Sequence, residues 1–252
     1  MFTGIGLIAF FCICAAAAAG FLLGRRLPED NRSEGAQKTV QAVMSVVGLL
    51  SALVLSLLIA STKANFDTRS SEVEQFAANL TLLDRELAHF DPEVRDARAL
   101  LRAFTARKIA LAWPTDRGAR PVMHDPEAVR LLDDMQERLR GWTPQAEPQR
   151  EARSSALQFI RELKRTSHLL AVQQGVHAPA PFLIIVIFWL SMLFLSHALF
   201  APLNRTVVAA MLVAALSVSI AINLIFDMDQ PFSGFVRVSP ASMQQALDEM
   251  TP

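Results

Sequence analysis

Side chains able to carry out covalent chemistry are sparse in this sequence and are not grouped. The histidines lack the spacing of metal ligands: they are His89, His124, His168, His177 and His197. We find no nucleophile triad, phosphate-binding loop or dinucleotide-binding pattern. The two tight acidic pairs, Asp133 with Asp134 and Asp227 with Asp229, are more typical of a solvated helix face and a tail cap than of a metal site. We therefore expect no catalytic residue, metal, cofactor or enzymatic activity.

A stripe of small and polar residues stands out inside an apolar segment. Gln41, Ser45, Gly48, Ala52 and Ser56 recur every three or four residues, so a helix would present them on one face. Such a face can pack closely against other helices, because small residues let backbones approach each other. It can also line a narrow pore with apolar constrictions. The stripe alone favours packing.

Four segments without Asp, Glu, Lys or Arg have the length of membrane-spanning helices; they are residues 2–24, 40–62, 180–201 and 206–226. The first could instead be a cleaved signal peptide, but it lacks a basic leader and Arg25 and Arg26 follow the apolar run. We therefore predict four spans. Both cysteines, Cys12 and Cys14, fall in the first span and indicate no disulfide framework.

Charged residues are concentrated between the second and third spans, where acids and bases are evenly mixed. The 24 basic and 24 acidic residues balance, and no basic patch suggests nucleic-acid binding. The predicted organisation is a transmembrane hairpin (1–62), a soluble helical domain (63–179), a second transmembrane hairpin (180–226) and a C-terminal tail (227–252).

The middle segment has the periodicity of helices. Apolar residues from Phe76 to Phe90 recur every three or four positions, which predicts one long helix leaving the membrane. Asp91-Pro92 and Asp125-Pro126 predict the starts of two further helices, carrying Val94, Leu100, Leu101 and Phe104, and Val129, Leu132, Met135 and Leu139. Trp113-Pro114 and Gly141 predict their ends, and a fourth helix spans about 149–176. The predicted fold class is all-α.

Three other features of the spans indicate structural roles. Ala16-Gly20-Gly24 and Ala210-Ala214-Ser217-Ala221 are predicted packing seams. His197, near a helix end, is predicted to be an interfacial side chain. Asn223, which Asp227 follows one turn later, is polar enough to need a partner, from a neighbouring helix or from the tail.

The tail is apolar enough to lie on another surface. Phe232, Phe235 and Val238 could face the bilayer or plug a vestibule, with Pro231 and Gly234 setting the bend. Ser239 and Pro240 predict the N-cap and first residue of a short final helix.

The loop at 25–35, the stretch 48–67 and the tail at 229–240 together resemble a bacterial family of four-span membrane proteins described as bestrophin-like. The most specific tail positions are Asp229, Pro231, Phe232, Gly234, Ser239 and Pro240. The resemblance covers nearly the whole chain, whereas similarity to bestrophins themselves rests on element order and on a glycine-containing second span that continues into the domain.

Bestrophins are pentameric anion channels whose second span lines the neck. The resemblance therefore implies a homopentamer that passes inorganic anions, with the pore lined by Gln41, Ser45, Gly48 or Leu49, Ala52 and Ser56. Bestrophin necks carry bulky side chains, whereas this stripe is small and polar. The resemblance also implies the bacterial cytoplasmic membrane, with both termini and the helical domain in the cytoplasm. Counting Lys and Arg near the span ends gives no clear orientation.

Two other functions remain open. The protein could be a non-conducting membrane scaffold or sensor whose helical domain docks a partner protein. A transporter built from inverted repeats is less favoured, because neither predicted hairpin contains a helix broken at mid-membrane by Gly and Pro.

Overall fold

The structure, a computed structural model, describes residues 4–26, 28, 33–90, 94–115, 119, 121–173 and 180–250. These residues contain helices and no strand, which confirms the all-α fold class. The helices are α1 (Gly4–Arg26), α2 (Glu34–Ala88), α3 (Arg95–Ala112), α4 (Pro126–Gly141), α5 (Glu147–Gln173), α6 (Ala180–Phe200), α7 (Arg205–Met228) and α8 (Ala241–Glu249). Among them, α1, α2, α6 and α7 are long and apolar enough to cross a membrane.

The chain forms two compact units. Unit 1 comprises the described residues of Met1–Asn65, His177–Gln230 and Gly234–Val236, and unit 2 those of Phe66–Val176, Pro231–Ser233 and Arg237–Pro252. Helix α2 is uninterrupted over 55 residues and contributes to both units, as the predicted exit of a long helix from the second span requires.

Helix α1 packs most closely against α6, through glycines. A β-carbon on Gly20 would lie 2.4 Å from the carbonyl oxygen of Leu195, and one on Gly24 would lie 2.3 Å from that of Leu199. Only glycine permits this approach, which confirms the seam predicted at these two positions. Asn223 of α7 lies against Gly6, so its neighbour is a helix, as one of the two predicted alternatives had it.

The seam predicted on α7 is wrong for contacts within the chain. Ala210, Ala214 and Ser217 are exposed and Ala221 is half-buried. A different face of α7 is buried instead, through Ala215, Ser219, Ile222 and Ile225.

Unit 2 has an apolar core shared by α2, α3, α4, α5 and α8. Its largest fully buried side chains include Leu80, Leu83 and Leu87 of α2, together with Phe104, Leu101, Met135, Leu139, Ile160 and Leu163. Most were predicted from their helical spacing. Val129 is an exception, because Ala128 takes the buried position on α4 and leaves Val129 exposed.

Local signals explain the ends of the helices. The Asp125 side chain accepts a hydrogen bond from the Ala128 N–H at 3.0 Å, with Pro126 in the first turn, as predicted. Helix α3 ends at Ala112 with Trp113 as its C-cap, also as predicted. Asp91 and Pro92 lie outside the described residues, but α3 begins at Arg95 with Val94 as its N-cap, so the start predicted at Asp91 is wrong. Helix α5 begins at Glu147, two residues before the predicted start.

Candidate pore-lining helix

The predicted pore stripe lies mainly on the exposed surface of α2. Gln41, Ser45, Leu49, Ala52 and Ser56 are exposed in the single chain. Another face of the helix, next to Gly48, is turned toward its own chain, with Ser51, Leu58 and Thr62 buried. The stripe is therefore available to a solvent-filled path, to lipid or to another subunit.

Gly48 occupies the edge of the stripe. It is half-buried, and a β-carbon there would lie 3.3 Å from Cδ1 of Leu193 on α6. The neighbouring atom is the end of a flexible side chain, so this contact is tight but can accommodate an alanine in place of Gly48. Of the two alternatives at this turn, Leu49 is the one with an exposed side chain.

The serine hydroxyls of the stripe bond to their own helix. Ser45 Oγ donates to the carbonyl of Gln41, and Ser56 Oγ donates to that of Ala52, each at 2.8 Å. Because the hydroxyl protons are used inside the helix, these serines present acceptor lone pairs outward. An anion needs donors, so hydroxyls in these rotamers do not themselves favour one.

Two lysines extend the stripe at its two ends, although the sequence analysis assigns them no role beyond the charge count. Lys38 precedes Ser45 by seven residues, and Lys63 follows Ser56 by seven. Seven residues are about two helical turns, so both exposed lysines lie close to the stripe's face. The seven-residue spacing is the signal that could have found them. Lys38 also pairs with Glu34 at 2.7 Å, but both side chains are largely exposed, so water screens the pair.

An apolar face lies beside the stripe on α2. Val46, Leu53 and Leu57 are exposed, and none packs into the chain's own core. Helix α2 thus shows two outward faces, one small and polar and one bulky and apolar. An oligomer in which one face lines an axis would leave the other for a neighbouring copy or for lipid.

Gln41 and His197 line one groove of about 590 Å³ in unit 1. The groove also contains Gln37, Ala210 and Ala214, which brings the exposed stripe of α7 near the start of the α2 stripe. His197 Nδ1 is 2.9 Å from the carbonyl oxygen of Leu193, a bond that requires the Nδ1–H tautomer. The ring is therefore tied to its own helix, and the interfacial position of His197 stays a prediction.

The tail motif forms a fixed turn at the end of α7. Gly234 has φ of +94°, a conformation that favours glycine. The buried Asp227 carboxylate accepts a hydrogen bond from the Phe235 N–H at 3.0 Å, so the tail supplies a polar partner to Asp227. Asp229 is the C-cap of α7, at the start of the motif.

Two predictions about the tail are wrong. Phe232 and Val238 are buried in the core of unit 2, where Phe232 packs edge-on against Trp113 and the Trp113 Nε1–H donates to the Val238 carbonyl at 2.8 Å. Because Phe232 and Val238 have these partners inside unit 2, neither side chain faces a bilayer. Phe235 alone of the three is exposed, at 86%.

The final helix begins one position later than predicted. Pro240 is the N-cap of α8 and makes no side-chain cap bond. Ser239 Oγ instead accepts from the Ala241 N–H at 3.2 Å, and the Val238 N–H donates to the Pro231 carbonyl at 2.8 Å.

Comparison with known proteins identifies the family that has this architecture. A family model described as the bestrophin-like domain matches residues 11–243. The chain belongs to the bestrophin-like family. No curated protein matches the chain.

Solved structures of bestrophin homologues share the fold. One from Klebsiella pneumoniae, carrying a point substitution, aligns with a TM-score of 0.67 at 14% identity, covering 95% of this chain and 96% of that one. A second structure of the K. pneumoniae homologue gives a TM-score of 0.65 at 13% identity over 95% and 96% of the two chains. A structure described as a membrane protein gives 0.67 at 13% identity, again over 95% and 96%. The bestrophin-like chain is thus a membrane protein with the bestrophin fold.

Proposed function

We propose that this bestrophin-like protein is one subunit of a homopentameric channel of the bacterial cytoplasmic membrane. The channel conducts inorganic anions along an axis lined by α2, with Gln41, Ser45, Leu49, Ala52 and Ser56 facing the path and Gly48 at its edge. Family membership supports the channel class, because bestrophins form channels of this kind.

The observation that carries the proposal is the exposure of α2. Its apolar stretch has the highest mean hydropathy of the four, yet only 11% of it is buried within the chain, against 22 to 33% in the others. A helix with one polar stripe and so little internal burial is suited to a shared axis. There the stripe can contact water while the apolar face meets a neighbouring copy or lipid.

The two lysines support anions as the permeant species. Lys38 and Lys63 are 25 positions apart, which is about 37 Å along a helix, close to the thickness of a bilayer including its interfaces. A ring of ammonium groups at each end would attract anions to both mouths. Selectivity would then come from the mouths rather than from the serine hydroxyls.

The proposed orientation follows the bestrophins, with both termini and the helical domain in the cytoplasm. The loop between α1 and α2 would then face the other side. An impermeant thiol reagent added to intact spheroplasts should label a cysteine placed at Ser33. A cysteine placed at Gln149 should be labelled only after the membrane is opened.

A chloride-flux assay tests conduction. The full chain, purified in mild detergent and weighed as an oligomer, is reconstituted into liposomes and compared with empty vesicles. We expect flux from a pentamer and at least a tenfold reduction in Ser45→Trp, because an indole on the axis narrows the path. Val46→Trp, on the apolar face, is the matched control and should retain most of the flux if it assembles.

The selectivity claim has its own variant. Lys38→Gln with Lys63→Gln should reduce the preference for chloride over sodium, whereas Lys164→Gln in unit 2 should not. An intact oligomer that leaks nothing under varied pH, calcium and membrane tension would support the scaffold or sensor instead. Equal flux in Ser45→Trp and the parent would remove the stripe from the path.

A further inference from the structure

A second groove in unit 1 lies between α1 and α7 and has one cationic residue at its end. It measures about 430 Å³. From α1 it is lined by Cys14, Ala17, Ala18, Phe21, Leu22 and Arg25, and from α7 by Val208, Met211, Leu212 and Ala215, with Phe194 and Leu203 completing it. Every lining residue except Arg25 is apolar or weakly polar.

The groove has the length of one membrane leaflet. From Cys14 to Arg25 is 11 residues, or about 17 Å along a helix. Half of a hydrocarbon core is about 15 Å thick. Because the groove runs along α1 and its charged residue is in the last turn, the cation lies where the apolar span ends.

The chemistry at the two parts of the groove differs. Small side chains at Ala17, Ala18 and Ala215 leave room for a flexible hydrocarbon chain. Arg25 is exposed and makes no ion pair with any residue in the described part of the chain. A guanidinium binds a phosphate oxygen pair with two parallel hydrogen bonds.

We propose that this groove binds one anionic phospholipid, with an acyl chain along α1 and α7 and the headgroup phosphate on Arg25. The site is separate from the α2 stripe and does not depend on whether the protein conducts ions. Arg26 occupies the same last turn of α1 and is also exposed, but it does not line the groove. The two arginines therefore distinguish a specific site from a general attraction of exposed basic residues for anions.

Native mass spectrometry of the detergent-purified oligomer tests the headgroup. Titration with phosphatidylglycerol and phosphatidylcholine of identical acyl chains should show tighter binding of phosphatidylglycerol. Arg25→Gln should weaken that binding at least fivefold, whereas Arg26→Gln should change it by less than twofold. Equal losses in the two variants, or equal binding of the two lipids by the parent, would overturn the proposal.

Two further arms test the groove itself. Ala18→Trp should fill it and abolish the lipid adduct, whereas Cys12→Trp, on another face of α1, should retain it; retention in Ala18→Trp overturns the site. Excess inorganic phosphate should not displace the lipid, because a free anion makes no contact with the apolar walls; displacement would make the site an anion site only. A loss of oligomer in Ala18→Trp with no change in lipid binding would assign the groove to a second copy of the chain and overturn the lipid.

Discussion

The two halves of α2 differ in how much of their apolar surface is buried within the chain. In residues 34–65 the exposed side chains include Leu49 at 72% and Leu53 at 66%, whereas in residues 66–88 Leu80 and Leu83 are each at 0%. The first half is apolar and largely exposed. The second half carries more charge, and one of its faces is buried by α3 and its neighbours in unit 2.

The difference shows which half the chain can complete alone. The second half is amphipathic, so its apolar face finds partners inside the chain and its polar face meets water. The first half packs only one face, including Leu58, against its own chain and leaves most of its apolar surface exposed. Its surface needs lipid, another subunit or a membrane path, which is why the proposed function depends on it.

The largest expected change in stability lies in the buried half of α2. Asp84, 6% exposed, accepts two hydrogen bonds from Arg98 of α3, at 2.9 and 3.1 Å. Asp84→Ala leaves the guanidinium without its carboxylate and should cost about 3 kcal/mol of unfolding free energy. Denaturation of the full chain in detergent, followed by Trp113 and Trp142 emission in a Trp189→Phe background, measures it.

Asp133→Ala is the matched control for that change. Asp133 pairs with Lys164 at 2.6 Å, but its side chain is more than half exposed, so its loss should cost less than about 1 kcal/mol. Equal effects of the two variants would show that the pair between α2 and α3 is not a special anchor of unit 2.

A buried lysine makes the stability of unit 2 depend on pH. Lys108 is 9% exposed, and its Nζ donates to the Met123 carbonyl at 2.8 Å beside a cavity of about 30 Å³. Burial lowers the pKa of Lys108 to about 8, and the nearby Asp125 opposes the shift. Between this pKa and the ordinary value of 10.5 the unfolded chain holds a proton that the folded chain has lost. Stability should therefore rise with pH across that window.

Lys108→Met should remove this dependence. At pH 7 it relieves a penalty of about 3 kcal/mol but strands the Met123 carbonyl, so we expect a net gain of about 1 to 2 kcal/mol. The slope of stability between pH 8 and 10.5 should be smaller in the variant than in the parent. A variant with lower stability at pH 7 and the parent's slope would contradict the assignment.

Two glycines of the membrane unit should differ in their tolerance of a methyl group. Gly20→Ala places a β-carbon against backbone and should cost about 1 to 3 kcal/mol by forcing α1 away from α6. Gly48→Ala meets only the end of the Leu193 side chain and should change little. The fraction of oligomer that survives heating in detergent distinguishes them, and equal survival would refute the close α1–α6 contact.

A local effect is expected in the tail. Gly234→Ala imposes a β-carbon on a left-handed backbone 3.0 Å from Asp227 Oδ1, at a cost of about 1 to 2 kcal/mol. Limited proteolysis of the tail should become faster in this variant, and unchanged cleavage would mean that Asp227 does not hold the turn.

Helical spacing in the sequence predicted most of the soluble core. Leu80, Leu83, Leu132 and Leu139 are buried where their periodicity put them, because amphipathic helices bury the apolar face. The predicted burial of Val129 is wrong because Ala128, its neighbour on α4, occupies the buried position and leaves Val129 exposed.

Features that depend on tertiary contact were less predictable. The spacing of Phe232, Phe235 and Val238 gives no indication that Trp113, more than a hundred residues away, covers two of them. The α7 seam was predicted wrongly because small residues permit close helix packing but do not specify which helix packs against them. In contrast, Gly20 and Gly24 were recognisable because only glycine serves a backbone contact this close.

The central claim is that the polar stripe of α2, rather than its apolar face, meets the ion path. In a background of Cys12→Ala and Cys14→Ala, single cysteines replace Ser45 and Ala52 on the stripe or Leu53 on the apolar face. Chloride flux from liposomes is then measured before and after a negatively charged, impermeant methanethiosulfonate. We predict block at positions 45 and 52 and none at 53; block at 53 with no effect at the stripe would contradict the claim.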